Sequence, residues 1–256
     1  MTPDDRSALF EKLRDLHHGD SPLVLPNTWD CASARAVAKA GFPVVATTSG
    51  GIAASLGWED GEKTPADEMF HAIGRIASSV DVPVTADVES GYGLSSTEIV
   101  AALREVGAVG CNIEDTDHSV GNALLPVEDG ARRIAEMKAA TASARFDLFV
   151  NARIDVFVRG TAEGEDPVAL ALERAHQYSA AGADCVYPIG ADVDQLTTFI
   201  QNYEGPVNGF VRPDKAPLSR LSKLGLARIS YGSRLQRLTL EGFSDRLGVI
   251  RKMGDV

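Results

Sequence analysis

Val84-Thr-Ala-Asp-Val-Glu-Ser-Gly-Tyr-Gly93 is an apolar extended run that ends in two carboxylates and then breaks on glycine. Side chains alternate along an extended backbone, so Val84, Ala86 and Val88 share one face while Asp87 and Glu89 share the other. Two acids side by side in an apolar strand repel each other and resist desolvation. A divalent cation makes such a pair tolerable. The pattern recurs at Val109-Gly-Cys-Asn-Ile-Glu-Asp115, another apolar strand that ends in Glu114 and Asp115. Two such strand ends point to one shared site.

Short β-rich runs alternate with helical segments along the whole chain. Strands are expected at Leu23–Trp29, Val44–Ser49, Val82–Glu89, Val109–Asp115, Leu148–Asp155, Cys185–Ile189, Val207–Val211 and Arg228–Tyr231. Helical patterns lie between them, several ending on a glycine (Gly41, Gly107, Gly182, Gly225) just before the next strand, the punctuation of a βα repeat. Eight strands, each followed by a helix, predict an α/β fold, a (β/α)8 TIM-type barrel occupying residues 1–256 as one domain, with a closing helix at about 234–253. A doubly wound open sheet is the structural alternative, and the count of eight favours closure. In a barrel, function sits at the C-terminal strand ends.

The 256 residues, 44% of them hydrophobic, are enough for a sizeable core, and the net charge of −11 argues against nucleic acid or an anionic membrane as the main partner. Cys31, Cys111 and Cys185 show no metal-type or redox-type spacing and read as inert buried thiols. A polar start at Met1–Arg6 and the lack of any membrane-length apolar run point to a cytoplasmic protein.

The other strand ends add candidates. Thr47-Thr-Ser-Gly-Gly51 exposes hydroxyls and backbone N–H groups suited to a carboxylate or phosphate oxygen, or it is an ordinary flexible turn. Leu56-Gly-Trp-Glu-Asp-Gly61 brings two more acids. Asn151-Ala-Arg-Ile-Asp155 sets Arg153 among apolar neighbours, as a fork for an anionic substrate or as a structural partner of the acids. The acids themselves form either an ion network at the barrel mouth or a Mg2+ or Mn2+ site, since their ligands are oxygens. His118 is the one histidine close to a predicted strand end, and a solvated loop position is its alternative.

These motifs resemble the isocitrate lyase/phosphoenolpyruvate mutase superfamily over about Leu23–Leu240. The carriers are Pro26-Asn-Thr-Trp-Asp30, Thr48-Ser-Gly50, Ser55-Leu-Gly-Trp-Glu-Asp60, Ala86-Asp-Val-Glu-Ser-Gly-Tyr-Gly93, Asn112-Ile-Glu-Asp115 and Asn151-Ala-Arg153. The resemblance implies chemistry beside a 2-oxo acid carbonyl through a Mg2+-stabilised enolate. Asp87 then matches the direct metal ligand, and Asp60, Glu89 and Glu114 the ligands acting through water. Ser49, with Gly50 and Gly51, resembles the loop that holds substrate oxygens, with Thr48 able to take its place by a one-residue shift. Asp60 borders the same substrate loop, and Arg153 resembles the arginine that contacts the substrate anion. The resemblance also implies a homo-oligomer, a tetramer exchanging its C-terminal helix. The apolar residues of Arg234–Met253 could serve that exchange or cap their own barrel.

The departures concern the reaction. The chain lacks the Lys-Cys-Gly-His-type loop of the true lyases. Its segment after Asp115, Thr116-Asp-His-Ser-Val-Gly-Asn-Ala-Leu-Leu-Pro126, is shorter than the mutase gating loop and has no lysine, leaving Asn122 as the one residue that could mimic a polar contact there. The expectation is a Mg2+-dependent lyase acting on a 2-oxo acid such as oxaloacetate, by decarboxylation or C–C cleavage. Ser49 and Arg153 would orient the substrate, with His118 or Tyr92 as proton donor or acceptor. Phosphorus–carbon bond chemistry is one alternative, and a metabolite-binding barrel without turnover is another.

Overall fold

The computed structural model describes residues 3–210 and 218–253. Eight parallel barrel strands follow one another: β1 (Leu23–Leu25, resumed after Pro26 as Asn27–Thr28), β2 (Val45–Thr47), β3 (Val84–Asp87), β4 (Gly110–Glu114), β5 (Phe149–Ile154), β6 (Cys185–Pro188), β7 (Asn208–Phe210) and β8 (Arg228–Ser230). Pro26 has no N–H to give a ladder, and the first strand changes partner there. Leu23–Leu25 pairs with β8, whereas Asn27–Thr28 pairs with β2. Pairing then runs from β2 through to β6, a single parallel bridge joins Val186 to Val207, and β7 pairs with β8. Val211, the last residue of the predicted seventh strand, lies outside the described residues.

Register sorts the side chains into an outer apolar face and an inner layered one. Val84, Ala86, Ile113, Val150, Ala152 and Val186 turn outward into the core shared with the helices. At the N-terminal end of the barrel, Leu13 of α1 (Pro3–Leu16) packs with Leu23, Leu25, Val44, Val109 and Phe149. Gly110 permits this, because a Cβ there would lie 2.7 Å from Leu13 Cδ2. Above that plug the interior becomes polar. Asp87, Asn112 and Asn151 sit level across β3, β4 and β5, and Glu114 sits level with Arg153 one step higher.

Helices α2 (Cys31–Lys39), α3 (Ser49–Leu56), α4 (Ala66–Ala77), α5 (Ser96–Val106), α6 (Val127–Ala144), α7 (Val156–Arg159), α8 (Pro167–Ala180), α9 (Val193–Gln201) and α10 (Leu218–Leu221) lie between strands, and α11 (Arg234–Met253) closes the chain. Capping boxes start α2 at Asp30, α5 at Ser95 and α9 at Asp192.

Three expectations are corrected. Ser49-Gly-Gly51 is not a turn but the first turn of α3. Glu89 is not on the strand: β3 stops at Asp87, and Glu89 follows in a left-handed conformation with φ 47°. The tail does not cap its own barrel along its length. Gln236 is buried against Gly51, but Leu240, Phe243, Leu247 and Ile250 are all more than 45% exposed. No helix among the described residues is long and apolar enough to cross a membrane.

Candidate active site

The site is built around the end of β3. Asp87 is buried, its own N–H donates to Thr47 Oγ1 (2.9 Å), and its Oδ2 accepts both the backbone N–H (3.1 Å) and the hydroxyl (2.9 Å) of Ser49. Ser49 opens α3, so its N–H is one of the donors a helix start leaves free, and the helix dipole favours the carboxylate. Asp60 approaches from the α3–α4 loop, with Oδ1 3.3 Å from Ser49 Oγ. Gly50 makes room for it, since a Cβ there would sit 2.7 Å from Asp60 Oδ2. Thr48, the N-cap residue, shares a 2.9 Å hydroxyl contact with Ser233, just past β8.

Glu89 is held by a knot of left-handed residues. Its Oε1 accepts from the Tyr92 hydroxyl (2.8 Å) and its Oε2 from the Glu62 backbone N–H (2.8 Å). Glu62 in turn accepts from Ser90 Oγ (2.8 Å) and from the Tyr92 N–H (2.6 Å). Glu62, Glu89 and Tyr92 all have φ between 47° and 58°, an unfavourable region for non-glycine residues that this hydrogen-bond web stabilises. Burial, then the neighbouring Glu89 charge, raises the Tyr92 hydroxyl pKa far above its ordinary value, so it acts here as a donor.

Glu114 ends β4 between two cations. Its Oε2 lies 2.7 Å from Arg153 Nη1 and its Oε1 lies 2.6 Å from His118 Nε2. A short hairpin pairs Thr116–Asp117 with Ala123–Leu124 and folds His118 inward. The imidazole is therefore not a solvated loop group: its side chain is 5% exposed, with Glu89 Oε2 at 3.6 Å and Asn122 Oδ1 at 2.8 Å from Nδ1. Burial alone would lower its pKa, but the hydrogen bond to Glu114 and that residue's charge raise it to about 9.

Arg153 is more committed than a free substrate fork. Nε and Nη2 bind Asp155 at 2.7 and 3.1 Å, and Asp155 also accepts from the Thr116 hydroxyl (2.6 Å). Asp115 turns away from Glu114 altogether. Its Oδ2 accepts from Arg174 (2.9 Å) and from the Tyr178 hydroxyl (2.8 Å), which makes it a tie to α8.

A cavity of about 330 Å³ opens over this end of the barrel, with Ser49, Asp60, Asp87, Asn112, Arg153 and Ser233 among its walls. Glu89, Glu114 and His118 form the adjoining group, their ligand-type atoms all within 4.8 Å of one another. The predicted residues thus fall into two adjacent clusters, joined by Arg153, which lines the cavity and pairs with Glu114. Sequence reasoning missed Glu62 and Ser233, and it carried Asn112 only as part of a motif. Ser233 follows a predicted strand and was open to the strand-end rule; Glu62 carries no motif of its own.

The charge balance favours a bound cation. Burial, and next the charge of Asp87, raises the Asp60 pKa, while burial and next the charge of Asp60 push Glu89 up to about 8. Asp87 Oδ1 is buried and has no hydrogen-bond partner. An orphaned carboxylate oxygen among further acids fits a divalent cation with oxygen ligands.

The chain is similar to several known proteins over most of its length. An uncharacterized protein of Mycobacterium tuberculosis is 34% identical over 221 residues, 86% of this chain and 81% of that protein. Oxaloacetate decarboxylase 1 of Pseudomonas fluorescens is 28% identical, with 100% of this chain and 86% of that protein aligned. A Burkholderia cenocepacia crystal structure provisionally described as a phosphonomutase superposes with a TM-score of 0.87 at 36% identity, covering 94% of this chain and 98% of that one. Residues 13–250 match the phosphoenolpyruvate phosphomutase family, and the chain belongs to that family, within the isocitrate lyase/phosphoenolpyruvate mutase superfamily.

Proposed function

We propose that the protein is a Mg2+-dependent carbon–carbon lyase (Mn2+ serving in its place) acting on an oxaloacetate-like 2-oxo acid, by decarboxylation or C–C cleavage. The observation that carries this reading is the free, buried Oδ1 of Asp87 in a cavity it shares with Arg153. Asp87 would hold the cation directly, with Asp60, Glu89 and Glu114 around it. A divalent cation bound there supplies Lewis-acid stabilisation of negative charge on the substrate's carbonyl oxygen.

The chain's own residues do the rest. Arg153 remains at the cavity wall after pairing with Asp155 and Glu114, and it attracts the substrate's anionic end. Ser49, expected to hold substrate oxygens, gives its donors to Asp87 instead, so Thr48 and the Gly50–Gly51 backbone at the start of α3 present donors to carboxylate oxygens and fix their orientation. In decarboxylation the bond between the substrate's β-carbon and its distal carboxylate breaks, and the electron pair moves to the carbonyl oxygen to give an enolate and CO2. The enolate's carbon then takes a proton. His118 and Tyr92 both hold protons next to the acids at neutral pH and are the candidates to supply it.

Phosphorus–carbon bond chemistry is the second reading, favoured by 32% identity over 91% of this chain to a carboxyvinyl-carboxyphosphonate phosphorylmutase of Arabidopsis thaliana. A Mg2+-dependent screen of oxaloacetate, methylisocitrate, 4-hydroxy-2-oxo acids, phosphonopyruvate and phosphoenolpyruvate, with products identified, separates the two. CO2 or an aldehyde supports the lyase; phosphate or phosphonate products support the second reading. Tight oxalate binding without turnover of any of them would favour a metabolite-binding barrel.

The same reading includes a homo-oligomer, a tetramer, in which the exposed apolar side of α11 meets another copy. Support comes from the row Leu240, Phe243, Leu247 and Ile250 and from an apolar cleft of about 650 Å³ bordered by Trp29, Ile52, Leu56 and Ile76. A cytoplasmic location suits the three unpaired thiols Cys31, Cys111 and Cys185.

A further inference from the structure

Arg228 opens β8 and is completely buried inside the barrel. Its Nε donates to Ser230 Oγ (3.1 Å) and its Nη2 to Asn112 Oδ1 (3.2 Å), while Nη1 has no partner. No carboxylate among the described residues lies within ion-pair distance of it. Ser230 and Asn112 are themselves walls of the active-site cavity, and Asn112 is level with Asp87 across the β3–β4 ladder. The guanidinium therefore sits one layer beneath the cavity floor. Burial lowers its pKa, and the nearby Cys185, Tyr187 and Asp87 act in the opposite direction.

A buried cation without an anionic partner carries a large desolvation cost, and an apolar side chain of similar volume would remove it. Arginine keeps its charge even there. Asp87 offsets that cost in part, and negative charge arriving through the cavity above would offset it further. We propose that Arg228 is a positioning residue that fixes a positive charge beneath the cavity floor, selecting ligands that bring more than one negative charge. It acts through Asn112 and Ser230 without touching the ligand. The inference rests on the 2-oxo acid reading above and deepens it: the preferred substrate is a dianion, and the charge displaced toward its carbonyl oxygen is stabilised from below as well as by the cation.

This placement has effects of opposite sign. The Arg228 charge repels a cation at Asp87 and attracts an anion in the cavity. Mn2+ binding without organic ligand, oxalate binding in saturating Mn2+, and thermal stability are measured for wild type, Arg228→Met and Arg228→Lys. In Arg228→Met, oxalate binding is expected to weaken about tenfold or more while Mn2+ binding tightens about threefold and the Tm rises. Arg228→Lys, which retains the charge, should stay within about threefold of wild type for both ligands. A purely structural arginine would give weaker binding of both ligands and a lower Tm in Arg228→Met, and a variant that failed to fold would equally overturn the inference. Equal losses in the Lys and Met variants would overturn it too. Failure of wild-type protein to bind oxalate would sink the 2-oxo acid reading instead. The Mn2+ arm would then decide the inference alone, with tightening in Arg228→Met supporting it and any other result contradicting it.

Discussion

Ser49 gives both its backbone N–H and its hydroxyl to the same oxygen of Asp87, at 3.1 and 2.9 Å, and leaves the other oxygen of that carboxylate free. The start of α3 thus orients the carboxylate, presenting Oδ1 to whatever occupies the cavity. Replacing Ser49 by Ala removes one of the two anchors. Mn2+ affinity is expected to fall about tenfold, the usual scale for losing a hydrogen bond that orients a metal ligand. Unchanged affinity in a titration of the variant would show that the backbone N–H alone sets the carboxylate.

His17 gives a prediction for pH. The ring stacks on Phe149 with centroids 4.1 Å apart, beneath the polar layer. Burial first, then the charge of Arg228, lowers its pKa from 6.5 to about 3. The unfolded chain therefore binds a proton that the folded chain refuses. The stability that neutral His17 contributes is complete above pH 6.5 and is lost as pH falls toward 3. Relative to His17→Leu, wild type should lose up to about 1.4 kcal/mol per pH unit below pH 6.5 in urea unfolding. A wild-type-to-variant difference that stays constant between pH 7 and pH 5 would refute the shift.

Gly130 in α6 lies under Tyr178. A Cβ at that position would come 2.6 Å from the Tyr178 hydroxyl oxygen, which donates to Asp115. Gly130→Ala must push the ring away and leave part of the Asp115 carboxylate unsatisfied. Helix propensity alone would make the change favourable by about 1 kcal/mol. Overpacking reverses the sign, with an expected net loss of about 1–3 kcal/mol by chemical denaturation. A stabilised variant would mean that the α6–α8 contact is slack.

The exposed apolar side of α11 predicts the assembly. Phe243→Asp combined with Leu247→Asp should reduce the mass in solution toward the 27.2 kDa of one chain, as read by light scattering. An unchanged mass would place the interface elsewhere.

The parts of the molecule legible in the sequence are those governed by period and punctuation. Eight β-rich runs, each followed by a helical pattern, and the glycines after the helices predict the barrel. Alternation along β3 sets Asp87 apart from Val84, Ala86 and Val88, and the strand-end rule brings Glu114 and Arg153 to the same mouth. The less legible parts depend on contacts between distant residues. Ser49-Gly-Gly51 has poor intrinsic helix propensity, yet it begins α3, where Gly50 leaves space for Asp60. Asp115 and Glu114 are adjacent in sequence, but β4 ends at Glu114 and the two carboxylates point apart, one to Arg174 and the other to Arg153. The inward fold of His118 depends on a hairpin with little apolar pattern, and Arg228 sits in a predicted strand whose inner side becomes apparent only once β1 and β7 flank it.

The central claim is that Asp87 holds a divalent cation on which turnover of a 2-oxo acid depends. Its most direct test is the rate of oxaloacetate consumption, with pyruvate and CO2 quantified, for wild type and Asp87→Ala with added Mg2+ and with chelator. Wild type is expected to show Mg2+-dependent turnover that chelator abolishes, with a loss of about a thousandfold or more in the variant at any Mg2+ concentration. Equal turnover by Asp87→Ala and wild type, or wild-type turnover indifferent to chelator, would contradict it.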